Sequence, residues 1–239
     1  MHAIEPNDQT AHSICVMQRL LTITDLAKAY GFKSVFRGLS LDLPAGNFAL
    51  VGANGVGKST LLRLIAGAEH ADSGRIVVDG VDLAQTPIAA KERLAYVPDE
   101  PVAYPFLTGR EFLNLVAELR RLDDAELAAP FVEAMALDKH LDTRFQSMSL
   151  GTQRKFFVVA AFMDEPRVLL MDELTNGLDR AAREVLIELL RDSAPWRLTL
   201  FSTHDEDFIV RCDAQRVEMS RNELKLEPQT QRRLAEAMP

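Results

Sequence analysis

Gly52-Ala-Asn-Gly-Val-Gly-Lys-Ser-Thr60 narrows what this chain can fold into more than any other stretch. It fits the spacing G-x-x-x-x-G-K-[ST], that of a loop whose backbone N–H groups wrap a phosphate. Gly52, Gly55 and Gly57 let the backbone take positive φ and approach an anion with no Cβ in the way. A helix starting near Lys58 would aim its unpaired N–H groups and positive dipole end at the same anion. In such a loop Lys58 reaches the β- and γ-phosphates of a nucleotide, and the Ser59 hydroxyl ligates Mg²⁺. Asn54 and Thr60 complete the expected nucleotide-binding set. The flanks decide against a glycine-rich turn with a chance lysine. Phe48-Ala-Leu-Val51 reads as a buried strand, and Leu61-Leu-Arg-Leu-Ile65 as an amphipathic helix. Strand, glycine loop and helix in that order are the context this motif requires.

The remaining composition narrows the partners. A chain of 239 residues with 47% hydrophobic content can bury one sizeable core, or one core plus a subdomain. Net charge is −8, the pI is about 5.2 and no basic run stands out, so no nucleic-acid partner is expected. The longest apolar stretch, Phe156 to Met163, is far shorter than the roughly 20 residues of a spanning helix. Met1 to His12 is polar and lacks the basic start and apolar core of a signal peptide. Residues 1–18 therefore read as a disordered extension, with Met17 a second candidate start. Cys15 and Cys212 have no metal-ligand spacing and read as reduced thiols without a role.

Along the chain the pattern changes twice. Leu20 to Thr24, Leu39 to Leu43 and Gly74 to Asp79 alternate apolar and polar, as half-buried strands do, with a turn at Pro44-Ala-Gly46. From Thr108 to His140 the pattern is helical, with Phe112, Leu115, Val116, Leu119 and Leu122 at 3–4 spacing. Asp123-Asp124 with Glu126 predicts a second helix start. Strand–helix alternation then returns: Val168 to Met171 as a strand, Arg180 to Arg191 as a helix, Leu198 to Ser202 as a strand. The fold class implied is α/β, a mostly parallel sheet covered on its faces. The expected organisation is one domain over 19–225, a helical subdomain at about 100–160 inserted into a mixed β core, and a tail at 226–239.

A P-loop ATPase also needs an acidic strand end to hold the metal shell and a base to orient water. Val168-Leu-Leu-Met-Asp172-Glu173 offers both. Asp172 ends the apolar strand and would hold Mg²⁺ through water. Glu173, immediately after it, is placed to act as general base.

These residues and those around them resemble the nucleotide-binding subunits of ATP-binding-cassette (ABC) ATPases, from about Leu20 to about Val217. Ala95-Tyr-Val-Pro-Asp99 looks like the family's Q-loop, and Met148-Ser-Leu-Gly-Thr-Gln153 stands where its LSGGQ signature belongs. Leu174-Thr-Asn-Gly-Leu-Asp179 looks like the D-loop, and Ser202-Thr-His204 matches the switch histidine. The resemblance implies that Tyr30 stacks on adenine, that His204 senses the γ-phosphate, and that Asp99 joins Ser59 and Asp172 around the metal. It implies head-to-tail dimers with ATP sandwiched between subunits. Ser149, the Gly151 N–H and a helix starting near Thr152 would then reach the partner's γ-phosphate, with Asp179 in the shared interface. Binding found only in the closed state would make ATP the glue of a homodimer, or of a heterodimer with a related chain.

Some positions depart from the family pattern. Leu150 and Thr152 replace signature residues, Asp99 stands for the Q-loop glutamine, and Leu174 for the proline after the base. Lys58, Asp172, Glu173 and His204 are all present, so the site reads as catalytically competent; an impaired member of an asymmetric pair is the other reading. The stretch Glu100 to Thr108 is similar to export-type members, in which it receives a helix from a membrane subunit. Tyr104, Pro105 and Phe106 fit such an exposed apolar groove. The resemblance thus implies a Mg²⁺-dependent ATPase that powers an exporter. It would be cytoplasmic, bound at the inner face of the cell membrane to an integral membrane subunit. The alternative is a soluble ABC ATPase that drives assembly of a complex such as an iron–sulfur scaffold; fold alone does not separate them.

Overall fold

The computed structural model describes residues 18–122 and 125–227. The expected extension, the tail beyond 227, Cys15 and the Asp123-Asp124 helix start lie outside the described residues.

Two sheets replace the single one expected. The first is antiparallel: β1 (Leu21–Tyr30), β2 (Lys33–Leu43), β4 (Ser73–Val78) and β5 (Val81–Asp82), in the order β2-β1-β4-β5. The second holds β3 (Gly46–Val51), β6 (Leu94–Val97), β7 (Val168–Met171), β8 (Leu198–Ser202), β9 (Gln215–Met219) and β10 (Leu224–Leu226), in the order β10-β9-β3-β8-β7-β6. It is parallel from β9 to β6, with β10 antiparallel at its edge.

The central parallel strands β7 and β8 are buried on both faces, so they read as largely apolar runs. Alternation still decides which face each residue serves. Val168 and Leu170 enter the core shared with the antiparallel sheet and α1 (Lys58–Ile65), while Leu169 and Met171 enter the other. That other core is filled by α3 (Gly109–Arg120), α4 (Ala129–Ala134), α5 (Leu150–Phe162) and α6 (Arg180–Ser193). Each such leucine contributes about 1.5–3 kcal/mol relative to exposure. Two short helices, α2 (Pro87–Glu92) and α7 (Glu206–Arg211), and three 3₁₀ turns (Ala125–Ala128, Asp138–His140 and Phe145–Ser147) complete the described elements.

The helices α3, α4 and α5 all lie between β6 and β7. The stretch from Thr108 to His140, read as helical in pattern, holds α3 and α4 as separate helices. A capping box of Thr108 and Glu111 starts α3, and Arg121 stops it in the left-handed conformation, φ 55°. Pro130 then sits in the first turn of α4. The buried stripe of α3 centres on Leu113 and Ala117, and Leu119 points to solvent, 73% exposed. Phe145 ties the helices together, with ring centroids 5.0 Å from Phe112 and 5.8 Å from Phe156. No helix among the described residues is long and apolar enough to cross a membrane.

Candidate functional site

The site follows from strand order. β3, β8, β7 and β6 are neighbours and parallel, so their carboxyl ends open at one edge, the usual place for a ligand in such sheets. The glycine loop follows β3, Ser202-Thr-His204 closes β8, Asp172-Glu173 follows β7, and Asp99 follows β6.

The loop has the geometry of an anion cradle. Gly57 holds φ 117°, and a Cβ there would lie 2.7 Å from Val35 Cγ1, so only glycine fits. Helix α1 opens with no side-chain cap and no acidic residue in its first turn. Its first N–H groups are thus left for a ligand, as phosphate binding demands. Lys58 is buried, and its ammonium donates to the Gly52 carbonyl at 2.9 Å, which holds it over its own loop.

One hydroxyl organises the carboxylates. Ser202 Oγ donates to Asp172 Oδ1 at 2.7 Å and accepts the Glu173 N–H at 2.8 Å. Asp172 is 3% exposed, so this hydrogen bond is what orients its carboxylate. Glu173 sits at φ 46°, a left-handed conformation that costs a non-glycine residue about 1–3 kcal/mol. Its Oε1 lies 3.5 Å from His204 Nε2, and the imidazole is mostly exposed. Tyr96 on β6 faces the same place; burial, aided by the Asp172 charge, pushes its phenol up to about 12.

The donor set suits a hard cation. Ser59, Asp172 and Asp99 offer only hydroxyl and carboxylate oxygens, as Mg²⁺ prefers. Among the described residues no cluster of three His, Cys, Asp or Glu side chains could enclose a metal. A Mg²⁺ here would be completed by phosphate oxygens and water, its habit in nucleotide sites.

The other expected residues are spread around this centre. Tyr30 ends β1 half exposed, with the Lys28 ammonium 5.1 Å from its ring centroid. Ser149 is the N-cap of α5, its Oγ accepting the Thr152 N–H at 3.2 Å, so the helix expected near Thr152 starts at Leu150. Gly151 lies against the segment after Glu173: a Cβ there would sit 2.3 Å from the Gly177 carbonyl oxygen. Asp179 caps α6 through the Ala182 N–H and takes a 2.6 Å contact from Lys155, which holds its carboxyl below the usual range. Tyr104 and Phe106 stack at 5.6 Å, both 62% exposed.

Sequence reasoning passed over the arginines. Arg154 on α5 donates to Asp99 at 2.9 Å, to the Glu173 carbonyl at 3.1 Å and to the Asn176 carbonyl. Arg183 on α6 donates to Asp205, next to His204, at 2.8 Å and to the Thr175 carbonyl at 3.0 Å. One signal was available: Arg154-Lys155 stands directly before the apolar run Phe156 to Phe162 of the same helix. A guanidinium on a buried face requires partners.

Comparison with known proteins agrees with this arrangement. Residues 36–176 match the family described as ABC transporter. The linearmycin resistance ATP-binding protein LnrL of Bacillus subtilis is 32% identical over 200 residues, covering 81% of this chain and 64% of that protein. The Nod factor export ATP-binding protein I of Rhizobium meliloti is 33% identical, covering 77% of this chain and 56% of its own length. The spermidine/putrescine import ATP-binding protein PotA of Chromobacterium violaceum is also 33% identical, covering 78% and 53%. The chain thus spans between about half and two thirds of these curated relatives. A solved structure of the ATP-binding subunit of an ABC transporter superposes with TM-score 0.82 at 30% identity, covering 90% of this chain and 92% of the other.

Proposed function

The chain belongs to the ABC transporter family, and on that premise we propose that it binds and hydrolyses ATP to power a membrane transporter through ATP-driven dimerisation. In this reading the glycine loop (Gly52, Asn54, Gly55, Gly57, Ser59 and Thr60) and Lys58 hold the phosphates, while Tyr30 stacks on the adenine. Glu173 takes a proton from the attacking water, and His204 donates to the γ-phosphate and reports its presence. Mg²⁺ held by Ser59, Asp172 and Asp99 would neutralise charge on the phosphates. Ser149 and Gly151 act on the partner subunit's nucleotide, beside the Asp179 loop, so loss of the γ-phosphate releases the dimer.

The observation that carries the reading is the Ser202 hydroxyl, which joins Asp172 to Glu173 at the strand edge that also presents Lys58. The direction favoured is export, on the wording of Glu100 to Thr108, and the Tyr104–Phe106 stack is the docking surface for an integral membrane subunit. The chain would then work in the cytoplasm, at the inner face of the membrane. Glu173→Gln tests the chemistry. ATP binding should persist, turnover should fall by about 10²–10⁴-fold, and a dimer should be trapped with ATP. Normal hydrolysis by that variant removes Glu173 as base. A pull-down of the same variant from solubilised native membranes tests the role: a stoichiometric multi-span protein supports the transporter, and a soluble complex supports the assembly ATPase.

A further inference from the structure

Arg154 is 7% exposed, and its guanidinium bridges two segments that the sequence keeps apart. It takes Asp99 after β6 on one side. On the other it takes the carbonyls of Glu173 and Asn176 after β7. A planar fork of N–H donors meets a carboxylate and two carbonyls together; an ammonium has neither the reach nor the geometry. Burying a guanidinium is tolerable only when its charge is paired and its donors are used. A carboxylate at 99 supplies the counter-charge, which an amide there would not.

The Glu173 backbone shows what this arrangement holds. Its left-handed φ of 46° persists only where contacts over-determine it. Two side chains clamp it, Ser202 at the N–H and Arg154 at the carbonyl, and the Asn176 N–H also donates to that carbonyl at 3.1 Å. The following residue adds nothing rigid, because Leu174 has no ring to lock φ. Its free amide instead donates to the Ser202 carbonyl at 3.0 Å, a bond that a proline would forgo. The stiffness of the segment therefore comes from these contacts. Of the two clamps, Ser202 also serves Asp172, whereas Arg154 bonds the base's own peptide without touching the Lys58 loop.

We propose that Arg154 is a positioning residue that fixes the Glu173 backbone, and hence the direction of its carboxylate, with Asp99 as the counter-ion that keeps the guanidinium in place. The inference rests on Glu173 being the base, as proposed above. Glu173 is the group that meets water; Arg154 acts only through it.

The test uses the full chain and compares Arg154→Met, Arg154→Lys and Asp99→Asn with Glu173→Gln. One readout is activity-free: hydrogen exchange of the amides of 173–178 in nucleotide-free protein. Arg154→Met should speed exchange there while β8 and α1 stay as protected as in the parent. The other readout is the split of kinetic constants. Arg154→Met should lower kcat by about 10²-fold, as a misplaced base does, with ATP Kd unchanged. Arg154→Lys and Asp99→Asn should fall between it and the parent, and they serve should the methionine variant fail to fold. Parental kcat and exchange in Arg154→Met, beside an inactive Glu173→Gln, overturns the proposal. So does a loss of ATP affinity with faster exchange throughout, which marks a merely structural residue. Full activity in Glu173→Gln instead removes the base reading, and local exchange in Arg154→Met still decides whether the clamp exists.

Discussion

The strand-edge site and the surface carried by the helices between β6 and β7 are built on opposite terms. At the strand edge, Asp172 and Ser202 are almost fully buried, and the Ser202 hydroxyl partners both the Asp172 carboxylate and the Glu173 N–H. On the helical side, Tyr104, Phe106 and Leu150 are 62%, 62% and 74% exposed, with large apolar groups left in water. Between the two lies a cleft of about 270 Å³, lined by Asp99, Pro101, Leu150, Arg154, Asn176 and Gly177. Buried polar groups need their hydrogen bonds in place before a ligand arrives, whereas an exposed apolar cluster gains by meeting another surface. On the proposed reading this is a division of labour: the buried half serves the nucleotide chemistry, and the exposed half is left for a partner surface.

Removing the Ser202 hydroxyl strikes the buried half hardest. Ser202→Ala leaves Asp172 Oδ1 and the Glu173 N–H without their partner, so unfolding free energy should drop by about 1–3 kcal/mol, read from the denaturant midpoint. Turnover should fall with it; a variant as stable and active as the parent would erase the contrast between the halves. Gly151→Ala probes the seam. Its Cβ would press on the Gly177 carbonyl at 2.3 Å, and overpacking of this kind costs about 1–3 kcal/mol, so a small loss of melting temperature with lower cooperativity of ATP turnover is expected.

Acid should act at the seam more weakly. The Lys155 contact, with the Ala182 N–H behind it, lowers the Asp179 carboxyl below its unfolded value of 3.8. Its stabilising effect is therefore complete above that pH and is lost as pH falls through the folded value. Asp179→Asn should lower stability modestly at neutral pH, change it little in strong acid, and so flatten the acid limb of a stability-against-pH curve; an unaltered limb would put the acid sensitivity elsewhere. The smallest effect on folding belongs to the exposed half. Tyr104→Ser with Phe106→Ser should shift stability by no more than about 0.5 kcal/mol, yet abolish co-purification with a membrane partner. A large stability loss would show that the stack serves this chain's own core.

Much of the architecture was legible because it rests on local signals. Strands Val168–Met171 and Leu198–Ser202 were read at their observed bounds, since both are short apolar runs with clear stops. Helix α1 was marked by the glycines before it. Two features misled. The 3–4 spacing that included Leu119 suggested a face one residue away from the true one, because Leu113 and Ala117 were passed over for bulkier neighbours. The division into two sheets was also missed, since a strand's sequence says which face is apolar but not which neighbour it pairs with.

By itself, the sequence determined the parts whose chemistry is contiguous: the glycine loop with its lysine, the acidic pair at a strand end, the apolar runs on either side. Short-range sterics and period-two burial settle those, and neighbours in the chain suffice. Tertiary structure alone decided that Arg154 would reach Asp99 across 55 positions while also bonding the Glu173 carbonyl, and that Ser202 would serve Asp172 from the next strand. A buried charge or hydroxyl takes the partners that the sheet order brings within hydrogen-bond reach, and that order is written in no single segment.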